Sequence, residues 1–378
     1  MDAFTINIPQ QNLDDLARRL EQVRWPDPET PDDWSQGIPL AFMREIHTYW
    51  RDHYDWRRCE QYLNQWPGFI TTIDGLSVHF LHIQSKHEDA RPLVMTHGWP
   101  GSILEFHKVI EPLTNPTAHG GSATDAYHLV LPTLPGFGFS GKPTSPGWNI
   151  ERIASAWQTL MTELGYTQYL AQGGDWGSMV TTALAQHVGC AGIHINMPVV
   201  TPDMKQMQDL TELEQSALAA FQFYQNEDSG YSKQQGTRPQ TLGYGLSDSP
   251  IGQAAWILEK FYQWTDCDGD PRNVLTVDEL LDNVMLYWLT NTSASSARIY
   301  WESLNQSNND PVTIPSGITM FPKEIFKTSE RWARTRYQNL QYFNERPKGG
   351  HFAAFEQPEA FVEEIRACFA GMTLQPSR

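Results

Sequence analysis

The sequence predicts an α/β protein: a mostly parallel sheet with helices on both faces, an inserted helical lid and an N-terminal arm that wraps the whole. Three observations carry this. From about residue 68 short apolar strands alternate with helical patterns, the signature of a parallel sheet covered on both sides. Around Pro198 the alternation stops, and it resumes only near Val312. At Gly173-Gly174-Asp175-Trp176-Gly177 an apolar strand meets a helical pattern through a turn rich in glycine, with a carboxylate at its centre. The division that follows is an arm over residues 1–70, a core over 71–200 and 306–378, and a lid over 201–305.

Composition agrees with a large packed domain. The chain has 378 residues, 40% hydrophobic and 12% aromatic, enough for a sizeable core. Its net charge of −17, from 27 basic and 44 acidic residues, argues against nucleic-acid or anionic-membrane partners. The four cysteines are widely spaced with no C-x-x-C, which suits a reducing compartment and suggests neither a disulfide framework nor a zinc site. No signal peptide or membrane-spanning stretch is legible, so a soluble cytoplasmic protein is expected. Oligomeric state is not readable; a homodimer is one option.

The elements are justified in order. Leu13 to Leu20 carries apolar residues at i, i+3, i+4 and i+7, a helical stripe, and a second helical region runs from Leu40 to Leu63. Phe69–Ile73 and Leu76–His82 alternate with period two around Asp74-Gly75, a hairpin turn. Strands are expected at Pro92–Thr96, Tyr127–Leu131, Gln168–Ala171 and Ala191–Asn196, with helices at Ile103 to about Leu113, Ile150–Leu164 and Met179–Ala185. After the lid come a strand at Val312–Met320, a helix at Ser329–Tyr337, a strand at Asn339–Phe343, and a last helix from about Pro358 to Ala370.

The chemistry centres on Asp175. Strand, sharp turn and helix around G-x-D-x-G form the context of a nucleophile elbow, with Asp where esterases carry Ser. A serine that opened an alkyl electrophile would be left as an ether; an aspartate is left as an ester, which water can hydrolyse. Such a nucleophile needs a base and a group to orient it, in the chain order nucleophile, acid, histidine. His351, in the glycine-flanked loop after the last strand, fits the base. Glu324, just past the Val312–Met320 strand, fits the acid, with Asp203 beyond the earlier strand as a rival. His97-Gly98-Trp99-Pro100 ends its strand beside the elbow, so the amides of Trp99 and Trp176 can form an oxyanion hole. Each of these has a plainer reading, as a turn, a surface acid or a packed ring; their combination favours chemistry.

Taken together these segments resemble the epoxide hydrolases of the microsomal type, within the α/β-hydrolase superfamily. The resemblance runs through Asp55-Trp56-Arg57, Pro67-Gly68-Phe69, Ile73-Asp74-Gly75, His97-Gly98-Trp99-Pro100-Gly101-Ser102 and Gly173 to Ser178. It continues in Ser229-Gly230-Tyr231, Ser295 to Tyr300, Phe321-Pro322-Lys323-Glu324 and Gly349-Gly350-His351-Phe352. It implies the α/β-hydrolase fold and the conversion of an epoxide and water to a vicinal diol through an ester on Asp175. It also implies Glu324 rather than Asp203 as the acid, and Tyr231 and Tyr300 as lid phenols that bind the epoxide oxygen and donate to it. No cofactor and no metal are implied, and the roles of detoxification or aromatic-hydrocarbon catabolism come with the family. Microsomal members carry an N-terminal anchor that this sequence does not show, which implies a soluble relative. Two rivals remain at this point. A haloalkane dehalogenase would use the same Asp175 with the Trp176 indole on the halide, and a non-catalytic binding protein would keep the fold alone.

Overall fold

The computed structural model describes residues 1–202, 204–304 and 309–374. Nine strands lie in one sheet among these residues: β1 Asp2–Phe4, β2 Gly68–Ile73, β3 Leu76–Ile83, β4 Arg91–Thr96, β5 Tyr127–Pro132, β6 Tyr169–Gly173, β7 Cys190–Ile195, β8 Ser316–Met320 and β9 Leu340–Glu345. Their order is β1-β2-β3-β5-β4-β6-β7-β8-β9. The pairs from β5 through β9 are parallel, and those joining β1, β2, β3 and β5 are antiparallel. The expected α/β-hydrolase architecture is therefore present. Central strands read as continuous apolar runs because both faces are covered: Leu93, Val94, Leu170, Ala171, Ile193 and Ile195 are fully buried.

The helices are α1 Gln10–Glu21, α2 Leu40–Asp52, α3 Trp56–Leu63, α4 Ile110–Thr114, α5 Ile150–Glu163, α6 Trp176–Leu184, α7 Glu212–Phe223, α8 Gly230–Thr237, α9 Pro239–Asp248, α10 Pro250–Trp264, α11 Val277–Leu289, α12 Ser293–Ser303, α13 Glu330–Arg336, α14 Ala353–Glu356 and α15 Pro358–Phe369. Helices α7 to α12 lie between β7 and β8, where the sequence placed the lid. Thr211 with Glu214 and Thr276 with Glu279 form capping boxes that start α7 and α11.

Four expectations need correction. The helical region from Leu40 to Leu63 is two helices: α2 stops at Asp52, and Asp55 restarts the chain by accepting from the Arg57 N–H at 2.9 Å. The helix expected from Ile103 to Leu113 is a 3-10 turn, Ile103–Phe106, followed by the short α4. The strand expected from Val312 begins only at Ser316; Val312 makes a single bridge to Tyr337, and Pro315 has no N–H to give a ladder. The arm, expected on the core, is held by the lid as well. Trp34 stacks on Tyr262 with ring centroids 3.7 Å apart, and the Tyr54 hydroxyl and Arg58 both reach Asp282 at 2.7 Å. Strand β1, too short for an alternation to be visible, ties the arm to the edge of the sheet.

Candidate active site

The elbow is a matter of space. A Cβ on Gly173 would stand 2.1 Å from the Gly177 carbonyl oxygen, and one on Gly177 would stand 1.8 Å from that of Thr96. Only glycine lets β6, α6 and β4 approach so closely. Between them Asp175 takes φ 50°, an uncommon value for a residue with a side chain, and it sits at the N-terminus of α6, where a carboxylate is favoured. Its Oδ1 accepts the Trp99 N–H at 2.8 Å, and its Oδ2 faces His351 Nε2 at 3.4 Å.

His351 is turned into place from both sides. Its Nδ1 meets Glu324 Oε1 at 2.6 Å, and the Ile325 N–H donates to the same oxygen at 2.7 Å, so the carboxylate holds the ring with Nε2 toward Asp175. Gly349 takes φ 112°, and Gly350 passes so close to the Trp264 carbonyl that a Cβ there would lie 2.4 Å from its oxygen. The His351 N–H donates to that carbonyl at 2.9 Å. Burial acts to lower the imidazole's pKa, but the Glu324 charge and the contacts with Asp175 and Glu324 raise it well above the usual histidine value.

The lid supplies the opposite wall. Tyr231 stacks on Trp99 with centroids 5.1 Å apart, Tyr300 stands edge-on to Trp176 at 4.8 Å, and the two tyrosine rings are 5.7 Å from each other. Both phenols are buried. Burial first, then Tyr300, Tyr224 and Asp175 for Tyr231 and Asp175 for Tyr300, push them well above the ordinary phenol range, so both stay protonated at neutral pH. The Tyr300 hydroxyl is buried with no hydrogen-bonding partner among the described residues, a polar group whose burial costs unless something else meets it.

The structure thus brings Asp175, His351, Glu324, Tyr231, Tyr300, Trp99 and Trp176 to one place. Of the two expected oxyanion amides, that of Trp99 is already on Asp175; Trp176 follows it on the first turn of α6. Asp203 lies outside the described residues.

Several neighbours escaped the sequence reading. Helix α11 braces the Trp99–Ser102 loop: Asn283 Nδ2 donates to the Pro100 carbonyl at 2.7 Å, Ser102 Oγ to Asn283 Oδ1 at 2.8 Å, and the Tyr287 hydroxyl to the Gly101 carbonyl at 2.6 Å. Glu105 lies against Gly101, and burial pushes its carboxyl up to about 8 despite the nearby His351 charge. Lys260 and Asp228 form an ion pair beside Tyr231. A lone acid inside Ile103-Leu104-Glu105-Phe106 was a readable hint for the first; for the pair, nothing local marks it. Among the described residues no group of His, Cys, Asp and Glu is arranged to hold a metal ion.

Comparison with known proteins places this geometry. Residues 1–106 match the family model described as epoxide hydrolase N terminus, and residues 91–358 match that of the alpha/beta hydrolase fold. The chain is 57% identical over 369 residues to a provisionally named epoxide hydrolase of Stigmatella aurantiaca (strain DW4/3-1), covering 97% of this chain and 84% of that one. It is 36% identical over 404 residues to epoxide hydrolase 1 of Sus scrofa, covering 98% and 89%. Among solved structures, Aspergillus niger epoxide hydrolase superposes with a TM-score of 0.90 at 32% identity, covering 98% of this chain and 96% of that one.

Proposed function

The chain belongs to the epoxide hydrolases of the α/β-hydrolase fold and hydrolyses epoxides, and we propose that it does so through an ester on Asp175. The observation that carries this is the division of labour within one carboxylate. Oδ1 is held by the Trp99 amide, which leaves Oδ2, on the side of His351, as the attacking atom.

In the first step Oδ2 forms a bond to an oxirane carbon from the back while the carbon–oxygen bond breaks. The released oxygen takes a proton from Tyr231 or Tyr300, giving a hydroxyalkyl ester and a tyrosinate. Oδ1 becomes the ester carbonyl, already on the amide where negative charge will build. In the second step His351, oriented by Glu324, takes a proton from water, and the hydroxide adds to the Asp175 carbonyl carbon. The oxyanion is met by the Trp99 and Trp176 amides. Collapse expels the diol oxygen, which takes the proton from His351, and the acid proton left on Asp175 returns to the tyrosinate. The sum is epoxide plus water to vicinal diol. The residues suffice for every proton, and no cofactor enters.

The division into arm 1–70, core 71–200 and 306–378, and lid 201–305 is supported by the interruption of the sheet between β7 and β8. Residence in a reducing cytoplasm is supported by four cysteines that are buried and unpaired. Among the described residues no helix is long and apolar enough to cross a membrane.

The test is turnover of a panel of epoxides and haloalkanes by wild type and by Asp175→Ala, assayed for diol and free halide. Diol from wild type and none from the variant is expected. Halide release would instead assign Asp175 to dehalogenation, with Trp176 on the halide; diol from the variant would remove Asp175 from the mechanism.

A further inference from the structure

The lid encloses a charged pair that the mechanism above does not use. Lys260 on α10 meets Asp228 at 2.6 Å, with each side chain only 6% exposed. Asp228 ends a π-helical turn, Tyr224–Asp228, a rare geometry found often at functional sites. Its second oxygen accepts the Trp264 indole N–H at 2.7 Å, and Lys260 also lies 2.7 Å from Glu259. Burying two charges costs desolvation that their attraction often fails to offset, and apolar side chains of similar volume commonly serve stability as well. A pair kept beside an active site therefore points to function.

What the ammonium touches indicates which function. Lys260 Nζ lies 4.7 Å from the centroid of the Tyr231 ring and 5.5 Å from that of Trp264. We propose that Lys260, held by Asp228, is a positioning residue that makes the Tyr231 hydroxyl a stronger donor to the epoxide oxygen. A cation against a π face draws on the ring's electrons and stabilises negative charge that builds on the phenol oxygen as its proton is shared. The Asp175 carboxylate opposes that charge; Lys260 works against it. Asp228 and the Trp264 indole fix the ammonium, so the effect is built in before substrate arrives. This rests on Tyr231 being a ring-opening donor.

The pair Lys260→Met with Asp228→Asn removes both charges, leaves the partly exposed Glu259 to solvent in place of Lys260, and leaves an amide oxygen for the Trp264 N–H. Ester formation is followed in single turnovers, separately from ester hydrolysis. A fall of about tenfold in ester formation, equivalent to about 1.4 kcal/mol, is expected, with hydrolysis unchanged. Lys260→Arg should restore most of the rate. In a Tyr231→Phe background the same double substitution should change nothing further. Equal losses with and without Tyr231, or wild-type ester formation in the double variant, would overturn the proposal while leaving the role of Tyr231 standing. Wild-type ester formation in Tyr231→Phe alone would overturn both. Lys260→Gln, which keeps a neutral donor to Asp228, makes the same comparison if the double variant does not fold.

Discussion

His351 and Trp264 are joined through the backbone: the His351 N–H donates to the Trp264 carbonyl at 2.9 Å, and the indole stands edge-on to the imidazole with centroids 5.0 Å apart. The same lid segment continues the hold. Asp266 Oδ2 accepts the Gly349 N–H at 3.0 Å, and the Asp266 N–H donates to Glu356 at 2.8 Å. The end of α10 thus holds His351, as α11 holds the Trp99–Ser102 loop through Asn283 and Tyr287. Helices fastened to both cannot lift as a unit without displacing the groups to which the proposed mechanism gives the second step.

On the proposed mechanism, the two flanking carboxylates give His351 a different basicity in each half of the cycle. In the free protein Glu324 and Asp175 both favour the imidazolium. Once Asp175 is an ester its charge is gone, one raising influence is lost, and the imidazole is released to act as base. Ester decay should therefore rise with pH around a midpoint lower than that of His351 in the free enzyme. Proton NMR of the free enzyme and stopped-flow decay of the ester give the two values, and an equal or higher midpoint for decay would contradict this account. Glu324→Gln should slow decay by about 10²- to 10⁴-fold, with a smaller effect on ester formation.

Gly98 keeps Asp175, the proposed nucleophile, in position by having no side chain. A Cβ there would stand 2.2 Å from Asp175 Oδ1 and 2.6 Å from Cγ, while one on Gly174 would meet nothing within 4 Å. Gly98→Ala should cut ester formation by about 10²-fold or more, the scale of loss from misplacing a reacting group by an ångström. Gly174→Ala should stay near wild type. Comparable rates in both variants would show that Asp175 does not react from the position seen here.

On the proposed mechanism the two phenols share one task, so their effects should compound. Tyr231→Phe or Tyr300→Phe alone should slow ester formation by roughly ten- to a hundredfold, and the double variant by about 10³-fold or more, within the range for general-acid catalysis. Ester decay should change little in any of them. A double variant that forms ester at the wild-type rate would remove both tyrosines from ring opening.

How much of this was legible follows from what local sequence constrains. The elbow was readable because Gly173 and Gly177 are required where a Cβ would stand about two ångströms from a backbone oxygen, and His351 because a glycine pair precedes it in the loop after the last strand. Glu324 could not be separated from Asp203 by spacing, and Tyr231 and Tyr300 could not be picked from fourteen tyrosines; the resemblance supplied all three. Lys260, Asp228, Trp264 and Asn283 were invisible for a physical reason. Their partners lie on other lid helices or far along the chain, and no residue type or spacing encodes a contact such as that of Asn283 with Pro100. The helix breaks after Asp52 and Phe106 are likewise set by capping and tertiary packing, which override a continuous apolar stripe.

Three histidines buried inside the core give a last prediction, on stability. His79, His97 and His194 are fully buried, and desolvation lowers them to about 3, about 4 and about 4. A hydrogen bond fixes His97 neutral; His79 and His194 each keep one ring nitrogen buried with no hydrogen-bonding partner among the described residues, where a proton would be costly. The Leu134 N–H donates to His97 Nε2 at 3.2 Å, so that nitrogen carries no proton. Thr319 Oγ1, which gives its proton to Glu364 at 2.8 Å, can only accept from His194 at 2.9 Å. Below pH 6.5 the unfolded chain takes up protons that these folded-state sites refuse, so stability falls as pH drops from about 6.5 toward about 4, by roughly 1 kcal/mol per pH unit for each histidine. His351 has the opposite sign: its pKa is raised on folding, so its contribution is full below about 6.5 and is lost as pH rises through the folded value. Urea unfolding at pH 7 and pH 5 should show a smaller acid loss for His194→Gln than for wild type, and no such reduction for His351→Gln. Equal acid losses in wild type and His194→Gln would mean that His194 takes up its proton without leaving the fold.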